Sequence, residues 1–201
     1  MILLSSEQQQ LNLPNAEIEY YPNFYQTTEA NQLFKSLLNE TSWIQDDITV
    51  FGKTYKQPRL TALYGEFGQP YSYSNITMHP KPFIPLIKSI QSKIERETKQ
   101  QFNTVLLNLY RDGNDSNGWH ADNEKELGQN PVIASLSLGE IRPFHFKHRQ
   151  LKKQRYKLFL NHGSLLVMKG EMQHFWLHQI AKTKKPIKER INLTFRFLVR
   201  S

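Results

Sequence analysis

The spacing of apolar residues divides the chain into a helical first part and a strand-rich second part. Apolar side chains recur at helical intervals over Thr28–Asn39, behind a threonine that we expect to cap the helix. The same spacing recurs over Pro82–Lys99, where isoleucines at 87, 90 and 94 form one stripe and Pro82 suits the first turn. The pattern therefore predicts two helices.

From Asn103 onward, short apolar or alternating runs recur with turn residues between them. The predicted strands are Thr104–Tyr110, Val132–Leu138, Pro143–Lys147, Tyr156–Leu160, Ser164–Met168, Gln173–Gln179 and Ile191–Val199. Residues 43–78 are also strand-rich, whereas residues 1–22 are polar and interrupted by proline, which indicates an extended N-terminal arm. The predicted fold class is α+β and mainly β, a sandwich or jelly roll with two helices packed on it.

Composition narrows the possible chemistry. The 201 residues are enough for one domain with a substantial core, and the absence of cysteine excludes disulfides and thiolate metal sites. The formal net charge of +8 favours a polyanionic partner such as nucleic acid, although a basic surface also serves solubility alone. No apolar run is long enough to span a membrane, and the N-terminus lacks the features of a secretion signal.

A histidine and an aspartate two positions apart form a candidate metal site. Because alternate residues of an extended segment point the same way, His120 and Asp122 can bind the same ion. A second histidine would complete a facial triad, which suits non-haem Fe(II) because three positions stay open. His-x-Asp alone is a weak signal in a chain with seven histidines. The candidates for the third ligand are His145, His148, His162, His174 and His178.

The last predicted strand carries two arginines on one face. Its alternation gives one polar and one apolar face, formed by Arg190, Asn192, Thr194 and Arg196 and by Ile191, Leu193, Phe195 and Phe197. If the polar face is solvated, these are ordinary surface arginines. If it is buried, they form a guanidinium fork that binds a carboxylate.

Together these motifs resemble the signature of the AlkB family of Fe(II)- and 2-oxoglutarate-dependent dioxygenases. The matching stretches are Asn108–Gly113, His120–Glu124, Ala134–Gly139, His162–Leu166, His178 and Arg190–Arg196. Their order and spacing agree, and the resemblance covers roughly residues 45–200. It implies a jelly-roll fold (a double-stranded β-helix), with Fe(II) as cofactor and 2-oxoglutarate and O2 as co-substrates.

The resemblance also implies roles for individual residues. His120, Asp122 and His178 would hold the iron, and the family spacing favours His178 over His174. The 2-oxoglutarate ligands would be Asn108, Tyr110, Arg190, Asn192 and Arg196, with Arg190 pairing with the distal carboxylate. The implied layout is an arm at 1–22 and one dioxygenase domain at 23–201, with a nucleotide-recognition lid at 43–80 and a jelly-roll core at 103–201.

On the substrate side, the resemblance implies a base flipped out of its helix. Tyr73 would stack on the base opposite His120, Tyr71 would hydrogen-bond beside it, and Glu124 would read its edge. Phe51 before Gly52 resembles the finger of family members that repair duplex DNA, with Arg59 following at the matching interval. Trp119 would narrow the pocket or stack on a flanking base. The basic stretches Lys147–Arg155 and Lys182–Lys185 are candidate phosphate contacts.

The sequence therefore predicts a DNA repair enzyme that demethylates 1-methyladenine and 3-methylcytosine, with a preference for duplex. The alternatives are an RNA or single-strand demethylase of the same family and a nucleic-acid-binding module with a non-catalytic metal site. We expect a monomer without membrane association, cytoplasmic in a bacterium or nuclear in a eukaryote.

Overall fold

The computed structural model describes residues 8–50, 52–66, 71–73 and 76–199. These residues form fifteen strands, three helices and a 3₁₀ turn at Lys125–Leu127. In chain order they are β1 (Gln9–Leu13), β2 (Ala16–Tyr21), α1 (Thr27–Glu40), β3 (Asp47–Val50), β4 (Lys53–Lys56), β5 (Leu60–Gly65), β6 (Tyr71–Tyr73), β7 (Ile76–Met78), α2 (Pro85–Thr98), β8 (Thr104–Tyr110), β9 (Asn117–His120), β10 (Ile133–Gly139), β11 (Arg142–His148), β12 (Arg155–Leu160), β13 (Ser164–Lys169), α3 (Met172–Phe175), β14 (Trp176–Ile180) and β15 (Arg190–Arg196).

Most strands lie in two antiparallel sheets. The larger sheet has the order β1-β2-β13-β10-β15-β8-β5, and the smaller has the order β12-β11-β14-β9. Two separate hairpins, β3-β4 and β6-β7, complete the described strands. This arrangement of two antiparallel sheets agrees with the predicted jelly roll.

Alternation along the central strands separates two apolar clusters. In β15, Ile191, Leu193 and Phe195 pack with α1 and α2 on one side of the larger sheet. On the other side of that sheet, Tyr110 and Phe146 belong to a second cluster that fills the space between the sheets. The polar residues of β8 and β15 alternate with the first cluster, so they face the space between the sheets.

Both predicted helices are present, with small differences at their beginnings. Gln26, not a threonine, occupies the N-cap of α1 and makes no side-chain capping bond. In α2 the first-turn proline is Pro85 rather than Pro82, because the helix begins three residues later than predicted. Ile87, Ile90 and Ile94 are fully buried, as their spacing predicted. None of the described helices has the length and apolar character that crossing a membrane requires.

The first part of the chain belongs to the larger sheet more fully than the sequence indicated. Within the predicted arm at 1–22, β1 and β2 form a hairpin that pairs with β13, and Ile18 and Tyr20 are buried. Within the predicted lid at 43–80, β5 pairs with β8 and is part of the sheet. The described part of the predicted arm thus contains a hairpin at the edge of the sheet, and the described part of the predicted lid contains the separate hairpins β3-β4 and β6-β7.

Candidate metal and co-substrate site

Two strands and the loop after one of them bring the predicted metal ligands together. β14 pairs with β9 so that His178 lies opposite His120. The Nε2 atom of His178 lies 3.2 Å from Nε2 of His120 and 3.6 Å from Oδ2 of Asp122. Neighbouring ligand atoms at bond lengths near 2.1 Å from a metal are roughly 3 Å apart. The three side chains therefore surround one point and fit a single metal ion.

The protonation states of the histidines suit metal binding. The Nδ1 atom of His120 lies 2.7 Å from the carbonyl oxygen of Gly118, which accepts a hydrogen bond only from a protonated nitrogen. The lone pair of neutral His120 is therefore on Nε2, which faces the site. Burial lowers the pKa of both imidazoles, and together with the neighbouring His120 it lowers the pKa of His178 to about 3. Neutral imidazoles are the form that binds metals.

The carboxylate ligand, Asp122, is ionised and hydrogen-bonded to Arg196. Burial alone would raise the pKa of Asp122, but Arg196 and the two histidines lower it to about 2. Nη2 of Arg196 donates a 2.6 Å hydrogen bond to Oδ1 of Asp122. Oδ2 of the same carboxylate remains directed at His178. A carboxylate with one oxygen held by an arginine keeps its other oxygen for a cation.

The geometry distinguishes His178 from the other histidine candidates. The predicted strand Gln173–Gln179 begins only at Trp176, because residues 172–175 form the helical turn α3. His174 lies in this turn, is exposed, and contacts Asn130 at 3.0 Å. It therefore does not share the strand face of His178. The remaining candidates, His145, His148 and His162, are not part of the group that could hold a metal ion.

The polar face of β15 is buried, so its arginines are not surface residues. Arg190 and Arg196 are 1% and 2% exposed. Nη2 of Arg190 donates to Oγ of Ser137 at 2.8 Å, while its Nε and Nη1 atoms have no hydrogen-bond partner among the described residues. Burial lowers the pKa of Arg190 to about 10, which leaves it protonated at neutral pH. Two buried donor nitrogens that have no acceptor among the described residues fit a carboxylate.

The neighbouring strands place the other predicted co-substrate residues opposite the arginines. Tyr110 pairs with Arg190 across the β8-β15 ladder, and Asn108 pairs with Asn192. The Arg190 guanidinium lies 5.3 Å from the centre of the Tyr110 ring. Asn192 donates from Nδ2 to Oγ of Ser135 at 2.7 Å. The metal ligands and the predicted co-substrate residues line one pocket, together with Asn117, Ser135, Phe144, Met168, Ile180 and Thr194.

Comparison with known families agrees with this geometry. The sequence profile of the 2OG-Fe(II) oxygenase superfamily matches residues 17–196, which include the triad and both arginines. The chain belongs to this superfamily. Its Fe(II) and 2-oxoglutarate are the predicted cofactor and co-substrate, and the donor set of two imidazoles, one carboxylate and one buried guanidinium fits both.

Individual relatives confirm that the chain is of the AlkB type. Alpha-ketoglutarate-dependent dioxygenase alkB homolog 3 of Mus musculus is 41% identical over 190 residues, which cover 88% of this chain and 64% of the relative. DNA oxidative demethylase ALKBH2 of Homo sapiens is 37% identical over 186 residues, covering 88% and 71%. The solved structure of OsALKBH1 has a TM-score of 0.67 at 17% identity, covering 95% and 100%, and shows the same fold. The chain spans about 64% of the length of its alkB homolog 3 relatives.

Arg59, a predicted substrate residue, is buried and hydrogen-bonded to two neighbours inside the protein. The Arg59 side chain is 4% exposed, and its Nε donates a 2.7 Å hydrogen bond to Oδ1 of Asn108. Its Nη1 donates to the carbonyl oxygen of Ser116, just before β9. Arg59 thus connects the chain after the β3-β4 hairpin to the predicted co-substrate residue Asn108 and to Ser116, which precedes the strand that carries His120.

Sequence reasoning missed two buried polar residues around the site. Gln173 accepts a hydrogen bond from the backbone N–H of Asp122. Arg142 donates to the carbonyl oxygens of Asp112, Asp115 and Ala181 and lies 5.8 Å from the Tyr110 ring centre. No local motif marks either residue. Alternation along β11 would have placed Arg142 on the buried face, whereas nothing in the sequence predicted the helical turn that carries Gln173.

The predicted substrate residues differ in how far the structure describes them. Oε2 of Glu124 is buried without a hydrogen-bond partner among the described residues, and burial followed by the Asp122 charge raises its pKa. Trp119 is 37% exposed and points to the face of β9 opposite to that of His120. The Nζ atom of Lys147 lies 4.3 Å from the centre of the Trp119 ring. Trp119 is not among the described residues that line the pocket. Phe51 and the side chains of Tyr71 and Tyr73 lie outside the described residues.

Proposed function

We propose that this protein is an Fe(II)- and 2-oxoglutarate-dependent dioxygenase that demethylates nucleic acid bases, with 1-methyladenine and 3-methylcytosine in DNA as substrates. The observation that carries the proposal is one pocket with a His-Asp-His triad beside the buried, partly unpaired Arg190. Such a pocket fits an acid that chelates a metal at one end and pairs with an arginine at the other. The name DNA oxidative demethylase of a 37% identical relative supports the nucleic acid substrate.

Some residues of the pocket would bind 2-oxoglutarate, and others would exclude water from the site. Arg190 would bind the distal carboxylate of 2-oxoglutarate, and Asn108 and Tyr110 would hydrogen-bond to the same molecule. When bound, iron, 2-oxoglutarate and O2 would supply the oxidant that hydroxylates the N-methyl carbon: one oxygen atom of O2 goes to that carbon and the other to the succinate formed, with carbon dioxide, from 2-oxoglutarate. The hydroxymethyl group would then leave the base nitrogen as formaldehyde. Phe144 packs against His178 with ring centres 5.1 Å apart and keeps that side of the site dry.

On the substrate side, the methylated base would be flipped into the pocket. Tyr73 would stack on it opposite His120, and Tyr71 would hydrogen-bond beside it. The buried oxygen of Glu124 with no described partner is the kind of group that reads a base edge. Outward-facing Trp119 would stack on a flanking base.

The hairpin β3-β4 is the proposed finger. Val50 pairs with Lys53, so two residues form its loop. Gly52 has a φ of +74°, which glycine adopts without strain, and nothing lies within 4 Å of the position of an added Cβ. A two-residue loop with open space beside Gly52 fits the proposed insertion of Phe51 between bases, and with it the preference for duplex.

The distribution of charge supports a nucleic acid partner. Residues 141–188 contain 12 of the 26 lysines and arginines of the chain but one of its 18 acidic residues. The rest of the chain has more acidic than basic residues. Within the described residues, the basic side chains of 147–157 and 182–185 form no ion pair with a carboxylate. Surface cations that form no ion pair suit phosphate contacts.

The proposal is tested by formaldehyde and succinate release from oligonucleotides that carry 1-methyladenine or 3-methylcytosine. Single-stranded DNA, duplex DNA and RNA are compared with Fe(II) and 2-oxoglutarate present, and Asp122→Ala serves as the inactive control. We expect release from DNA. Absence of turnover with every substrate would leave a binding module, and release from RNA alone would assign the alternative substrate.

The same assay tests the finger. Phe51→Ala should lower release from duplex DNA and leave release from single strands unchanged, because only a duplex needs a wedge. Tyr55→Ala is the matched control, since Tyr55 is exposed on β4 of the same hairpin. Equal duplex activity of wild type and Phe51→Ala would show that the finger assignment is wrong.

A further inference from the structure

Asp122 lies outside the strand that carries His120. β9 ends at His120, so the sheet ladder does not hold the main chain of Asp122. Its backbone N–H instead donates a 3.0 Å hydrogen bond to Oε1 of Gln173. Gln173 is 1% exposed and lies in α3. A buried side chain from a distant part of the chain therefore holds the loop that carries the carboxylate ligand.

Gln173 also belongs to the segment that carries the ligand His178. The turn α3 leads directly into β14, where His178 is five residues further along the chain. The Nε2 atom of Gln173 lies 3.9 Å from Sδ of Met168, a residue that lines the pocket. One side chain thus joins the segment of His178 to the loop of Asp122.

The carboxylate of Asp122 needs a second restraint besides Arg196. Arg196 holds Oδ1 at 2.6 Å, which fixes one atom of the side chain but leaves the main chain free to shift. A shift of the main chain would rotate Oδ2 away from the histidine pair. The hydrogen bond from Gln173 opposes that shift because it holds the backbone nitrogen of the same residue.

We propose that Gln173 is a positioning residue of the metal site, which fixes the main chain of Asp122 so that Oδ2 stays directed at the point between His120 and His178. This inference rests on the metal role of the triad in the proposed function. A side chain that merely fills space between α3 and the loop would affect the stability of the fold and leave the metal site as it is. Groups that orient metal ligands commonly change metal affinity 10- to 100-fold when they are removed.

The test uses the metal alone. Wild type and Gln173→Met are freed of metal and titrated with Co(II), and the visible absorption of the bound ion is recorded with no nucleic acid or 2-oxoglutarate present. Methionine keeps the length of the side chain but removes the amide acceptor. We expect Co(II) to bind about 10- to 100-fold more weakly to Gln173→Met, with an altered spectrum. Wild-type affinity and an unchanged spectrum would overturn the proposal.

Two further variants keep the test decisive. His174→Ala changes the next residue, which is exposed and contacts Asn130, and should bind Co(II) as wild type does. If Gln173→Met does not fold, Gln173→Asn decides, because it keeps an amide but is one methylene too short to reach the Asp122 nitrogen. Weaker Co(II) binding by this variant supports the proposal, and wild-type binding overturns it. A weaker Co(II) site combined with no demethylation in the wild type would contradict the proposed function alone.

Discussion

The protein uses its cations in two different ways, buried in and around the pocket and on the basic surface formed by residues 147–157 and 182–185. The arginines at 59, 142, 190 and 196 are between 1% and 4% exposed, and each donates to a named oxygen inside the protein. The cations of the β11-β12 turn, such as Lys152 and Lys153, are exposed and form no ion pair within the described residues. A buried cation acts through geometry and a few short hydrogen bonds, whereas an exposed one acts through long-range attraction that salt screens.

This difference predicts that changes inside the pocket have large effects that do not depend on salt, while changes on the surface have small effects that do. It also predicts different readouts. Interior changes should appear in co-substrate affinity and stability, and surface changes should appear in nucleic acid affinity alone.

The largest effect is expected for Arg190→Met. The variant removes the N–H donors that face the pocket and leaves the co-substrate carboxylate without its partner. A buried charge without its partner costs about 3 kcal/mol, so the KM for 2-oxoglutarate should rise roughly 100-fold. The rate of succinate release, recorded at increasing 2-oxoglutarate concentrations, gives this KM. Lys188→Met, an exposed lysine two residues upstream, is the control, and an equal KM in both variants would contradict the carboxylate role.

A smaller interior effect is expected for Arg59→Met. Asn108 loses its charged hydrogen-bond donor, which is worth about 1.5 kcal/mol, and the KM for 2-oxoglutarate should rise about 10-fold. The change should persist at high salt because the bond is buried. Lys56→Met removes an exposed ion pair with Asp47 on the neighbouring strand and should leave this KM unchanged. If both variants behave alike, Arg59 does not position Asn108.

Burial in the pocket disfavours the protonated form of its histidines. His178 has a pKa of about 3 in the folded protein and binds a proton near pH 6.5 when unfolded, so the unfolded state binds more protons between these values. Stability of the metal-free protein should therefore fall as the pH falls from about 6.5 to 3. His178→Leu should reduce this slope by about 1.4 kcal/mol per pH unit between pH 4 and 6. Urea unfolding with a chelator measures it, and exposed His174→Gln should keep the wild-type slope.

The smallest effect is expected on the basic surface. Lys152→Ala combined with Lys153→Ala should weaken DNA binding a few-fold at physiological salt. It should also reduce the slope of log affinity against log salt by up to about 1.8, or 0.9 for each lost phosphate contact. Lys35→Ala with Arg96→Ala removes the same charge from the exposed surfaces of α1 and α2. A similar loss of slope in both pairs would show that net charge, not this surface, attracts the nucleic acid.

Much of the fold and of the site could be predicted from local patterns. The isoleucine stripe of α2 and the alternation of β8 and β15 follow from periodicity, which reports which side of an element is buried. The metal ligands and the arginines were predicted from motif order and spacing. The β14 boundary was wrong because the first three residues of the predicted strand, 173–175, lie in the helical turn α3. The N-terminal hairpin was missed because β1 is largely exposed at a sheet edge, where apolar alternation is weak.

The sequence by itself predicted the fold class, the candidate ligands for a metal and a carboxylate, and the absence of thiol chemistry, because these depend on residue type, on alternation within one strand and on the order of motifs along the chain. Only the tertiary structure decided that the polar face of β15 is buried, that His174 lies apart from His178, and that Arg59 and Gln173 hold Asn108 and Asp122. Those contacts join segments 49 and 51 residues apart, and a local pattern carries no information about such a distance. They depend on how the two sheets close around the pocket.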